Sequence, residues 1–178
     1  FLASACTRAE PLPVLGKVPD FRFVDQSGEV FTAQRLEGNV WVANFIFTHC
    51  PSVCPFLTQK MAELQRRSAK SVFLVSFSID PKNDTPERLR AYAEKYGADP
   101  SRWFFLTGEV EQISTTVVRG FKLSLGERVE HDGGAGYDIL HATHFVLVDK
   151  KRRIRGYYRK QDEDMAKLRN DIERLAKE

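Results

Sequence analysis

Apolar and polar positions change period along this chain, and the changes mark its elements. Phe21-Arg22-Phe23-Val24 and Glu29-Val30-Phe31 flank Gln26-Ser27-Gly28, which predicts a β-hairpin. After a turn at Gly38-Asn39, Val40 to Phe47 is apolar almost throughout, the pattern of a strand buried on both faces inside an α/β sheet. Val53, Leu57, Met61 and Leu64 fall at helical spacing, so a helix runs to about Ser68. Ser71 to Ile79 is a second apolar strand, closed by Asp80-Pro81. Thr85-Pro86-Glu87 then starts a helix, with Thr85 as N-cap and Pro86 at the first helical position. Leu89, Tyr92, Ala93 and Tyr96 give it an inner face, and Gly97 stops it. Trp103 to Leu106 is a third strand, and Val110, Ile113 and Val117 mark a helix ending near Gly120. Residues 121–140, rich in glycine and charge, read as a hairpin or an excursion. Phe145 to Val148 is a fourth strand, turned by Asp149-Lys150-Lys151 into Ile154 to Tyr158. Met165, Leu168, Ile172 and Leu175 share one face of a last helix.

Strands alternating with helices predict an α/β sheet. With a leading hairpin, a closing helix and cysteines at the first strand–helix junction, the order points to a thioredoxin-like fold. That fold would carry an N-terminal β-hairpin and an inserted hairpin or loop before the strand at 145–148. The length of 178 residues suits one domain, expected over residues 18–178. Residues 1–17 are expected to be an export-signal remnant or tether with an extended lead-in, because Pro11, Pro13 and Pro19 break any helical period. Phe1-Leu2-Ala3-Ser4-Ala5-Cys6 resembles the tail of an export signal. It also resembles a lipoprotein cleavage site, in which Cys6 would carry the lipid, although Ala3 stands where Leu is usual. A net charge of +3 is far from the basic bias of a nucleic-acid binder. No apolar stretch reaches the length that spans a bilayer.

Phe47-Thr48-His49-Cys50-Pro51-Ser52-Val53-Cys54-Pro55 holds two of the three cysteines, between a strand and a helix. At a helix N-terminus, unpaired N–H groups and the helix dipole favour an anion, and the thiolate is the reactive and metal-binding form. Cys50 and Cys54 are four apart, so they can chelate one ion or close a disulfide. There are three residues between them, where the common redox spacing has two. There is no second cysteine pair for a closed four-cysteine zinc site. A further ligand must come from the four histidines. His49 should point away from Cys50 and tune the pocket, and His131 reads as a solvated residue. In thioredoxin-like folds the segment entering the strand at 145–148 lies against the cysteines and in redox members carries a cis-proline. Here it reads Leu140-His141-Ala142-Thr143-His144. An imidazole there suggests ligation. His141, expected in the loop, is the better choice than His144, expected within the strand. Two sulfurs and one nitrogen suit copper in both its oxidation states, and zinc accepts similar ligands, so ligand type leaves the metal open.

These residues carry a resemblance. The motif at 47–55, the block Ser78-Ile79-Asp80-Pro81-Lys82-Asn83-Asp84-Thr85-Pro86, Tyr96-Gly97-Ala98-Asp99-Pro100 with Trp103, and His141 ahead of Phe145-Val146-Leu147-Val148-Asp149 are similar to the Sco/SenC family. These are copper-handling thioredoxin-like proteins that serve assembly of cytochrome c oxidase. The resemblance runs from about Val18 to the C-terminus and implies copper held by Cys50, Cys54 and His141. It implies a metallochaperone that delivers copper to the binuclear copper site in the copper-receiving subunit of the oxidase. The alternative is a thiol–disulfide reductase using Cys50 and Cys54 on the cysteines of that site or of another copper chaperone, recharged by a thioredoxin-like reductant. A peroxiredoxin-like peroxidase would need a single activated cysteine near Thr and Arg, and no such arrangement is evident around Cys50. The family also implies an exported protein at the periplasmic face of the bacterial inner membrane, anchored through its N-terminus or through lipid on Cys6. Ser52 stands where the family often has Asp; that position is not a ligand. Asp80 reads either as an acidic group beside the site or as a turn residue before Pro81. Lys150-Lys151-Arg152-Arg153 reads as a solvated hairpin or as a steering patch for an acidic partner.

Overall fold

The apolar run after Gly38 becomes the interior of a six-stranded sheet in the order β1-β10-β9-β4-β5-β6. The computed structural model of the chain describes residues 10–51, 53–130, 137–141 and 143–178. The side chains of Glu127, Arg128, Glu130, Asp138, Leu140 and His141 fall outside that description. The strands of the sheet are β1 (Gly16–Lys17), β4 (Trp41–Ile46), β5 (Phe73–Ser78), β6 (Trp103–Leu106), β9 (Phe145–Val148) and β10 (Arg153–Tyr158). Every residue of β4 is buried, as its unbroken apolar pattern requires. β4, β5 and β6 are parallel, whereas β9 runs antiparallel to β4 and β10 antiparallel to β9. The helices α1 (Val53–Arg67) and α2 (Pro86–Lys95) make the parallel crossovers.

The leading hairpin forms as β2 (Arg22–Val24) and β3 (Val30–Thr32), with Gly28 at φ +86° in its turn. Thr85 caps α2, its hydroxyl accepting the Arg88 amide at 3.4 Å. α3 (Val110–Thr115) widens into a π-turn over Thr116–Gly120. The helix the spacing predicts forms here; it buries Ile113 and Val117 and leaves Val110, its first residue, exposed. α4 (Asp162–Ala176) buries Met165, Leu168, Ile172 and Leu175 as predicted. Of the two readings of residues 121–140, the hairpin holds: β7 (Leu125–Glu130) pairs with β8 (Tyr137–His141) as a separate two-stranded sheet.

The proline-rich lead-in is extended, and Gly16–Lys17 joins the sheet against β10. Ahead of it, Arg155 donates to the carbonyls of Leu12 at 2.7 Å and Pro13 at 3.1 Å. Arg174, near the end of α4, donates to the Glu10 carbonyl. These ties lie at the Trp41 end of the sheet, where the Lys150 ammonium also reaches the Ala176 carbonyl. At the opposite end β4 and β5 release Phe47 to Cys50 and Asp80 to Thr85 side by side. In open α/β sheets that is where ligands bind, beyond the carboxyl ends of strands whose connections diverge. β4 is such a strand: it sits between β5, reached through α1, and the antiparallel β9.

Candidate metal centre

Cys50 ends the turn after β4, its amide donating to the Phe47 carbonyl at 3.3 Å. Cys54 is the second residue of α1, and its N–H donates to Cys50 Sγ at 3.3 Å. The Cys50 sulfur thus takes up an amide at the start of α1 that has no carbonyl partner within the helix. Both cysteines are buried and no disulfide joins them. An amide donor and the positive end of a helix both favour thiolate over thiol. The arrangement is therefore a buried dithiol that sets two soft donors at one helix start.

The turn carrying Cys50 is fastened from β5. Asp84, fully buried, accepts the Thr48 hydroxyl at 2.5 Å, the Thr48 amide at 3.2 Å and the Ser78 hydroxyl at 2.6 Å. Burial raises the Asp84 carboxyl above the ordinary carboxylate range, against the pull of those donors and with the Asp80 charge adding to the rise. Asp80, at the end of β5, is 7 % exposed and takes both Asn83 amide contacts, at 3.0 and 3.1 Å, and the Tyr137 hydroxyl. The turn reading of Asp80 holds, and its carboxylate also accepts from Tyr137, the first residue of the strand that ends at His141. The Tyr137 ring stacks on Phe47 with centroids 5.7 Å apart and planes 17° apart.

The histidines separate. His49 is exposed, with Nδ1 3.4 Å from the Thr48 hydroxyl and Nε2 3.4 Å from the Arg88 guanidinium. His141 is the last residue of β8, paired in register with Leu125, and not a loop residue as expected. The hairpin ladder extends one position further than its composition implies. His144 precedes β9 instead of lying within it, since the ladder to β10 begins at Phe145. Its Nδ1 is buried without a hydrogen-bond partner among the described residues, and its ring meets the Tyr157 ring edge-on at 6.5 Å. Burial, helped by the Arg159 charge, holds this imidazole below the usual histidine range. Among the described residues no group of three His, Cys, Asp or Glu side chains is assembled for a metal ion. The imidazole of His141 lies outside the described residues, as do Cys6, His131 and Ser52. In the basic run after β9 the two arginines are paired: Arg152 meets Asp20 at 2.5 Å and Glu37 at 3.4 Å, and Arg153 meets Asp149 at 2.7 Å.

Sequence reasoning quoted Thr48, Asn83 and Asp84 within motifs but gave them no task, and it passed over Tyr137 and Arg88. A polar residue fixed between two apolar strand ends, as Asp84 is, was the one available signal. Two cavities, of about 660 and 440 Å³, lie away from the cysteines, against β2 and against α2.

The family model described as SCO1/SenC matches residues 13–177. A SCO1/SenC family lipoprotein from Bacillus anthracis is 34% identical in sequence and superposes with a TM-score of 0.80 over 90% of this chain and 95% of its own. Bradyrhizobium japonicum ScoI with copper bound is 26% identical, with a TM-score of 0.74 over 89% of this chain and 99% of that one. A structure of BsSco, described as having a disulfide switch and as a member of the Sco family of cytochrome c oxidase assembly proteins, is 28% identical, with a TM-score of 0.78 over 94% and 98%.

Proposed function

Because the chain belongs to the SCO1/SenC family, we propose that it is a copper metallochaperone that takes Cu(I) or Cu(II) as cargo on Cys50, Cys54 and His141. It delivers that ion to the binuclear copper site of cytochrome c oxidase. The observation that carries this reading is the Cys54 amide on Cys50 Sγ at 3.3 Å, inside a buried turn. It prepares two thiolates on one helix start, and soft thiolates are the donors that copper selects. The copper-bound relative from Bradyrhizobium japonicum supports the cargo, and the Sco family role in oxidase assembly supports the destination. The lipoprotein relative supports export and membrane attachment through lipid, which in this chain would sit on Cys6; the reading places the protein at the periplasmic face of the inner membrane.

The buried dithiol also favours a second reading, in line with the disulfide switch described for BsSco. In this reading Cys50 and Cys54 give two electrons and two protons to a disulfide of the oxidase site or of another copper chaperone, and close into a disulfide themselves. A thioredoxin-like reductant would then restore the thiols.

One titration separates the two. Cu(II) added to the reduced protein should give thiolate-to-copper charge-transfer absorption, and Cys50→Ala or Cys54→Ala should abolish it. His141→Ala should lose most copper affinity and keep dithiol exchange. Undiminished copper affinity in His141→Ala overturns the ligand assignment.

A further inference from the structure

The β7–β8 hairpin stands apart from the main sheet, and its strands pair with each other alone among the described residues. Its register shifts between Leu125 and Arg128, so even that ladder is interrupted. A two-stranded hairpin is marginally stable in water unless it packs on something else. What this one packs through is therefore decisive for where its residues sit.

Tyr137, the first residue of β8, attaches the hairpin to the loop after β5. Its hydroxyl donates to Asp80 and accepts from Asn83 Nδ2 at 3.2 Å, while Asn83 also donates to Asp80, which closes a triangle. Its ring lies on Phe47, in the turn that carries Cys50. Tyr137 and Ile139 are both buried, as alternate residues on one side of a strand should be. His141 ends the same strand.

We propose that Tyr137 is a latch: its hydroxyl on Asp80 and its ring on Phe47 dock the β7–β8 hairpin, and with it His141, onto the dithiol. Tyr137 is a positioning residue that touches no cargo. It sets whether the strand ending in the third donor is held at the two sulfurs. The inference rests on the reading of His141 as a copper ligand. It adds a control point: releasing one phenolic hydroxyl would leave the dithiol intact and withdraw the hairpin.

Hydrogen exchange on the reduced, metal-free protein tests the latch without copper. A hydrogen bond to a buried carboxyl group is among the stronger kinds, so Tyr137→Phe should speed exchange over residues 137–141 roughly tenfold or more while β4 and β5 keep the parental rate. Asp80→Asn retains an acceptor and should keep the parental rate, whereas Asp80→Ala should match Tyr137→Phe. The double variant Tyr137→Phe/Asp80→Ala should exchange no faster than either single one. Parental exchange in Tyr137→Phe, or multiplying effects in the double variant, overturns the latch. In a Cu(I) competition against a chelator, Tyr137→Phe should weaken binding in the parent and add nothing to His141→Ala. Unchanged Cu(I) affinity in Tyr137→Phe together with faster exchange overturns the positioning role. Undiminished affinity in His141→Ala instead sinks the ligand reading, with the exchange result on the latch standing on its own.

Discussion

Asp84 holds Thr48 by both its amide and its hydroxyl, at 3.2 and 2.5 Å, across 36 positions of sequence. One buried carboxyl group thereby joins the end of β5 to the turn two residues ahead of Cys50.

That carboxyl group carries a pH signature. Burial raises it in the folded chain, so folded Asp84 keeps its proton to higher pH than unfolded Asp84 does. Its contribution to stability is fully present below the ordinary Asp value of 3.8 and is lost as pH rises through the raised folded value. Asp84→Asn keeps an acceptor and cannot ionise. Urea unfolding from about pH 4 to about pH 7 should show the parent losing stability relative to Asp84→Asn as pH rises. A parent that holds or gains stability relative to Asp84→Asn over that range would contradict this.

His144 has the opposite sign. Burial and the nearby Arg159 lower its imidazole, so the folded chain resists protonating it. Its stabilising effect is present above the ordinary value of 6.5 and is lost as pH falls through the lowered folded value. An NMR titration of the ring protons should give a midpoint below 6.5, and His144→Gln should blunt the stability lost on acidification. A midpoint at or above the ordinary value would refute the expectation.

Arg155 is buried against Asp149 at 2.8 Å and also holds the Leu12 and Pro13 carbonyls. Arg153 and two backbone amides still hold Asp149 without Arg155, so Arg155→Met loses its own hydrogen bonds to Asp149 and the two carbonyls and should cost about 1–3 kcal/mol in urea unfolding. The variant should also expose residues 10–15 to limited proteolysis while the sheet persists. Resistance equal to the parent would show that β1 alone retains the lead-in.

Phe77 is fully buried and touches Phe21, Phe23, Phe45 and Phe121 at centroid distances of 5.2 to 6.1 Å. It ties the leading hairpin to the central strands. Phe77→Ala should destabilise the fold by about 3–5 kcal/mol in denaturant unfolding. A loss below about 1 kcal/mol would mean that the cluster collapses into the space.

The periodic elements were legible because burial writes itself into hydrophobic spacing: β4, α1 and α4 each fall where their patterns place them. Gly16–Lys17 was not, since a two-residue strand has no period to read. His141 and His144 exchanged settings, strand end against connection, because one rung of a ladder decides the matter and composition does not record rungs. The two cysteines announced themselves by spacing at a strand–helix junction. Their supports did not: Asp84 to Thr48 and Tyr137 to Asp80 are long-range hydrogen bonds between elements. Such pairs exist only once the sheet has brought two strand ends together.

Glu10 and Leu12 are pinned at the Trp41 end of the sheet, and Cys50 leaves from the other. The six residues of β4 between those ends measure about 20 Å. The lead-in and the two sulfurs are therefore set about one strand length apart, the first at the base of β4 and the second beyond its tip.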